Sequence, residues 1–154
     1  MNPVTAAHIH LALCHVPLLA ILVGLAWLAF GVWRKSLDIQ KAALVMFVAS
    51  AILAVPLYLT GGTAAGVVKG SPEYSDRVLE QHQAAAGIAL AGCLVLGITA
   101  LAGLILFRGR SVARWYGVIL LAGALVVAGL VVWTANLGGQ VRHSEIRPYD
   151  TRTE

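Results

Sequence analysis

Four uninterrupted apolar runs constrain this chain more than any other feature. Leu11 to Trp33, Ala42 to Thr60, Ala84 to Phe107 and Val112 to Ala135 contain no Asp, Glu or Lys. The single Arg114 stands at the start of the last run, where its long side chain can snorkel. Each run approaches or exceeds the roughly 20 residues that carry a helix across about 30 Å of hydrocarbon. Barrel strands are excluded, because the runs show no alternation of period two and each must satisfy its own backbone polar groups. The chain is 154 residues long, 59% hydrophobic and only 12% charged, which is more apolar surface than a soluble core of this size can bury. The expected fold is an all-α membrane protein, an antiparallel up-down-up-down bundle of four transmembrane helices joined by the short links Arg34–Lys41 and Arg108–Ser111. Residues 1–143 form this single domain and 144–154 a polar C-terminal tail. The first run is read as a retained span, since no basic segment precedes it and it is long enough to cross.

The net charge of +4 does not point to nucleic acid, because the basic residues lie in short links between spans. They are better read as a topology signal. Arg34, Lys35, Lys41, Arg108, Arg110 and Arg114 cluster next to span ends on one side. Lys69, Arg77, Arg142, Arg147 and Arg152 lie on the other, interspersed with acidic residues and extending into the tail. The positive-inside rule then places the two short basic links in the cytoplasm and both termini outside. A bacterial inner (cytoplasmic) membrane is the expected location. Cys14 and Cys93 lie in separate apolar runs without CxxC spacing, so they read as small buried hydrophobes.

Under this topology all five histidines fall on one side, towards the periplasm. His8, His10 and His15 enter the first helix, His82 opens the third and His143 follows the fourth. Ionisable groups at membrane depth are functional hypotheses by default. In an unbroken helix the rings of His10 and His15 would point about 140° apart, with His15 about 7.5 Å deeper, so the two would not chelate one small ion. Pro17 removes a backbone donor and frees the Leu13 carbonyl, bending the first helix beside His15, and Pro56 does the same for Ile52.

A bare metal site would recruit carboxylate or thiolate ligands, and the spans offer no carboxylate and only cysteines at different depths. Haem instead needs axial imidazoles, small residues where the macrocycle meets backbone, and cations for its propionates. Gly61 and Gly62 at the end of the second helix, and Gly138 and Gly139 after the fourth, would let a porphyrin edge approach, or would cap the helices in left-handed geometry. Arg77, Arg142 and Arg147 stand on the same side as propionate partners.

His10-x4-His15-x-Pro17, Leu59-Thr60-Gly61, His82 and Gly138-Gly139-Gln140-Val141-Arg142-His143 follow one another in an order that resembles the bacterial membrane family catalogued as domain of unknown function 2231. The chain departs from that pattern at Leu11, where many members have proline, and at Ser144, where glycine is common. The resemblance implies that His10, His15, His82 and His143 belong together, and as ligands of haem iron four histidines would supply two bis-histidine haems. The expected function is a membrane b-type cytochrome with one or two haem b groups, pairing His15 with His82 and His10 with His143. It would relay electrons between the quinone pool, or a partner redox complex, and an extracytoplasmic carrier. The lipid bilayer, a redox partner protein or larger membrane complex, quinone and an oligomeric assembly are the expected partners, and nucleic acid is not. An accessory subunit of a larger complex, or a histidine-based metal or proton transporter, are the competing classes. Electron transfer is favoured over conversion of a substrate, because no acid–base pair or nucleophile accompanies the histidines.

Overall fold

The computed structural model describes residues 2–69 and 74–147. The described residues are all-helical, in five α-helices: α1 (Pro3–Leu13), α2 (Val16–Trp33), α3 (Leu37–Val68), α4 (Asp76–Leu106) and α5 (Arg114–Arg142). A short 3-10 turn follows at Ser144–Ile146. Local signals set the starts. Asn2 caps α1 by accepting the Val4 N–H at 3.0 Å, with Pro3 in the first turn, and the Ser75 hydroxyl accepts from Val78 at the start of α4. Lys35 at φ 52° and Gly109 at φ 80° carry the chain out of α2 and α4 through the left-handed region, where glycine meets no penalty.

Among the described residues, four stretches are long and apolar enough to cross a membrane: Val4–Trp33, Leu37–Val68, Asp76–Leu106 and Arg114–Val141. The first crossing combines α1 and α2. Pro17 cannot donate to the Leu13 carbonyl, and the helix breaks at Cys14 and His15, where the Cys14 thiol donates to Leu11 O at 3.1 Å. Pro56 has no such effect, and α3 runs through it.

The helices extend further than the apolar runs at the histidine end. Gly61 and Gly62 lie inside α3, Gly138 and Gly139 inside α5, and none has the positive φ of a cap. The expectation that these pairs end their helices is therefore corrected. Their role comes from what packs against them.

Small residues are mixed with large ones such as Phe47, Leu44 and Leu120 inside the bundle, and large apolar residues cover its outside. Ala43, Ala54, Ala100, Ala124 and Gly97 are buried, whereas Ile52, Val95, Ile98 and Val126 point outward with about two-thirds of their surface exposed. In water such a surface would aggregate. In lipid it is the expected pattern, because association there depends on close backbone approach rather than on hiding apolar side chains. The result is the architecture of a multi-pass membrane protein. α2 packs on α3, α3 on α4, α4 on α5, and α5 returns to α2, closing the ring. α1 lies mainly against α3.

Two polar clasps tie the ring together. Buried Gln40 donates to Gly31 O at 3.0 Å and accepts from the Val112 N–H at 2.9 Å, joining the ends of α2 and α3 to the link before α5. Buried Ser50 donates to Pro17 O at 3.1 Å, holding α3 to α2 just past the break.

Candidate functional site

Two apolar clusters lie at different levels, and the level between them buries Thr60, Ala85, Ala89 and Leu137 outside either one. The main apolar cluster includes Ile21, Phe47, Ala54, Leu96 and Val127, and a smaller one at the histidine end contains Ala65, Leu79 and Val141. Neither takes a residue from 55–64 of α3, 80–89 of α4 or 132–140 of α5. His82 lies at that level, and His10 reaches it from α1 through its hydrogen bond to Leu57 of α3.

Each of these two imidazoles is pinned in the same way. His10 Nδ1 lies 3.0 Å from Leu57 O, and His82 Nδ1 lies 3.0 Å from Thr134 O. A carbonyl oxygen can only accept, so both rings carry a proton on Nδ1, and in the neutral ring Nε2 is then the nitrogen with the lone pair. Each ring also brings its Cε1 edge against a glycine one turn beyond its acceptor. A Cβ built on Gly61 would stand 3.0 Å from His10 Cε1, and one on Gly138 would stand 3.0 Å from His82 Cε1. Here is the role of the mid-helix glycines: they seat imidazole rings on helix backbone. Both rings are half-buried and close enough to interact electrostatically.

The other expected site residues are elsewhere. His15 is exposed at the break between α1 and α2, with Nδ1 3.1 Å from the Cys14 sulfur. His143 is exposed after α5 and meets Glu145 Oε1 at 2.9 Å. The expected pairs His15 with His82 and His10 with His143 are not formed, because His15 and His143 stand exposed on contacts of their own, while His10 and His82 are held on carbonyls of α3 and α5. Two physical reasons account for the change. The break at Cys14–His15 cancels the helical phase that related His10 to His15, and without a diglycine turn α5 runs on and carries His143 past the site. Gly62 has open space beside it and Gly139 meets Ile146, so neither touches an imidazole. Arg77 is exposed in the first turn of α4, and the side chain of Arg142 lies outside the described residues. Arg147 donates to Gln140 O at 2.8 Å and Val141 O at 3.2 Å, capping the end of α5 rather than reaching towards the site.

Around the site's rim, the Tyr74 phenol donates to the Asp76 carboxylate, which pushes its pKa up to about 12. The Glu145 carboxyl is held below its ordinary value, first by its own backbone N–H and then by His143. Among the described residues no group of three or more His, Cys, Asp or Glu could hold a metal ion. Sequence reasoning missed Leu57 and Thr134, because they act through backbone carbonyls that any residue possesses. The available signal was the recurrence of a glycine pair one turn past each acceptor. No family model, curated protein or solved structure matches the chain.

Proposed function

We propose that this chain is a membrane b-type cytochrome in which His10 and His82 hold one haem b from opposite sides. The observation that carries this reading is the matched pair of imidazoles, each with Nδ1–H fixed on a helix carbonyl and Nε2 left as a donor. This tautomer and backbone support are those of a metal-ligating histidine. The donor set fits haem, which needs two axial ligands from protein. It fits a bare zinc ion poorly, since that would need four ligands or three and a water.

When bound, haem supplies reversible one-electron exchange. The residues around it set the conditions for that exchange. The Leu57 and Thr134 carbonyls hold the ring planes and raise imidazole basicity, stabilising the oxidised metal. The apolar clusters on either side keep water away. No Asp or Glu lies in the four apolar runs, so the site is suited to passing electrons rather than protons. The electrons would pass between the quinone pool or a partner redox complex and an extracytoplasmic carrier. The setting would be a bacterial inner membrane, with the histidine end towards the periplasm, in keeping with the resemblance to the domain of unknown function 2231 family.

The test is a reduced-minus-oxidised absorption spectrum of the full chain purified after expression with ample haem. Soret and α bands at one haem per chain are expected. A colourless protein would overturn the reading and favour an accessory subunit.

A further inference from the structure

The two half-sites are related by a constant shift along the sequence, and the shift extends well beyond them. His82 follows His10 by 72 residues, while Thr134 follows Leu57, and Gly138 follows Gly61, by 77. The same two shifts relate contacts at the opposite end of the bundle. A Cβ on Gly31 would meet Ile39 at 3.1 Å and one on Gly103 would meet Tyr116 at 2.8 Å; Gly103 is 72 residues after Gly31, and Tyr116 is 77 after Ile39. Between these levels, a Cβ on Gly24 would meet Met46 at 3.2 Å. The positions 72 and 77 further on, Leu96 and Gly123, also face each other, at 3.8 Å from the glycine, with the large and small partners exchanged. One coincidence of this kind carries nothing, but three contacts at three depths with the same two shifts describe a repeat. α2–α3 and α4–α5 run in the same sense, and the ring closes α5 on α2 as α3 closes on α4, so the axis relating them runs along the bundle.

We propose that the chain is a tandem duplication of one helical hairpin whose pseudo-twofold axis passes between His10 and His82, making the two imidazoles equivalent donors to one centre. This rests on the bis-histidine reading above and sharpens its ligand class. Two equivalent donors across an axis suit a metal macrocycle with both axial positions taken by protein, leaving none for dioxygen or carbon monoxide. Gly61 and Gly138 become matched positioning residues, since a methyl at either would press on its own imidazole at 3.0 Å and shift the ring by a few tenths of an ångström.

The experiment uses the full chain in detergent micelles with 15N-labelled histidine, measured without haem and then titrated with haemin. Gly61→Ala is expected to shift the His10 ring signals and Gly138→Ala those of His82 to a similar extent, and each should weaken haemin binding by about tenfold. His10→Gln and His82→Gln form a second matched pair should the alanine variants misfold, and each is expected to abolish haemin binding. One member of a pair behaving as wild type while the other loses binding would overturn the duplication. Wild-type protein that takes up no haemin, but whose ring signals still respond in matched pairs, would overturn the cytochrome reading and uphold the duplication.

Discussion

Single residues here act by what they let the backbone do. Gln40 is the clearest case, because it is buried and closes hydrogen bonds on both of its polar ends. Gln40→Leu would leave the Val112 N–H and its share of Gly31 O without partners, a loss expected to cost about 2 kcal/mol. Ser50→Ala removes one interhelical bond in lipid and should cost only about 0.6 kcal/mol. Unfolding in mixed micelles with increasing denaturing detergent would rank the two, and equal stabilities would contradict the clasp assigned to Gln40. At the rim, Glu145 has a depressed folded pKa, so its contribution is present above the ordinary carboxylate value of 4.5 and fades as pH falls through the lowered one. The amide signals of Ile146 and Arg147 should therefore hold steady from pH 7 to about 5 and move only below the ordinary value. Movement that begins well above the ordinary carboxylate value would contradict this role of Glu145.

Elements are where glycine divides into two kinds. A methyl on Gly97 would collide with Ala51 where α4 crosses α3, and both are backbone-proximal groups that cannot swing aside. Gly66 and Gly129 have nothing within 4 Å of the same position. Gly97→Ala is expected to destabilise the bundle by about 1–3 kcal/mol through overpacking. Gly66→Ala and Gly129→Ala should be neutral or stabilising by up to about 1 kcal/mol. Thermal unfolding in micelles would check the contrast. The same glycines show how far the elements were legible in the sequence. The four spans were readable because lipid demands continuous apolar helix, and Pro17 was readable as a break because it lacks a donor. Gly61–Gly62 and Gly138–Gly139 were misread as helix ends, since an isolated diglycine is locally indistinguishable from a cap. What makes each first glycine a seat is an imidazole from another helix, a tertiary fact with no local signature. The histidines were legible as a set for their chemistry, yet not as pairs, because the partner of each is a carbonyl and the break at Cys14–His15 erased the phase that sequence spacing implied.

At the scale of the whole molecule, the bundle is held together by a core around Phe47, Leu44 and Leu120 and by two polar clasps, and one level between its two apolar clusters buries Thr60, Ala85 and Leu137 outside either. The two imidazoles brought to that level come from α1 and α4, which open the first and third membrane crossings and so belong to different hairpins. A site shared in this way binds the halves to each other, so its ligand should stabilise the entire ring and not one helix pair. By linkage, haemin at 100 times its dissociation constant should raise the unfolding free energy by about 2.7 kcal/mol. The central claim is the identity of the two donors. It is tested most directly by reduced-minus-oxidised spectra of four single variants, His10→Ala, His15→Ala, His82→Ala and His143→Ala, prepared alongside wild type. His10→Ala and His82→Ala are each expected to lose the whole Soret band while His15→Ala and His143→Ala keep it. A band that survives in either of the first two, or vanishes in either of the last two, would contradict it.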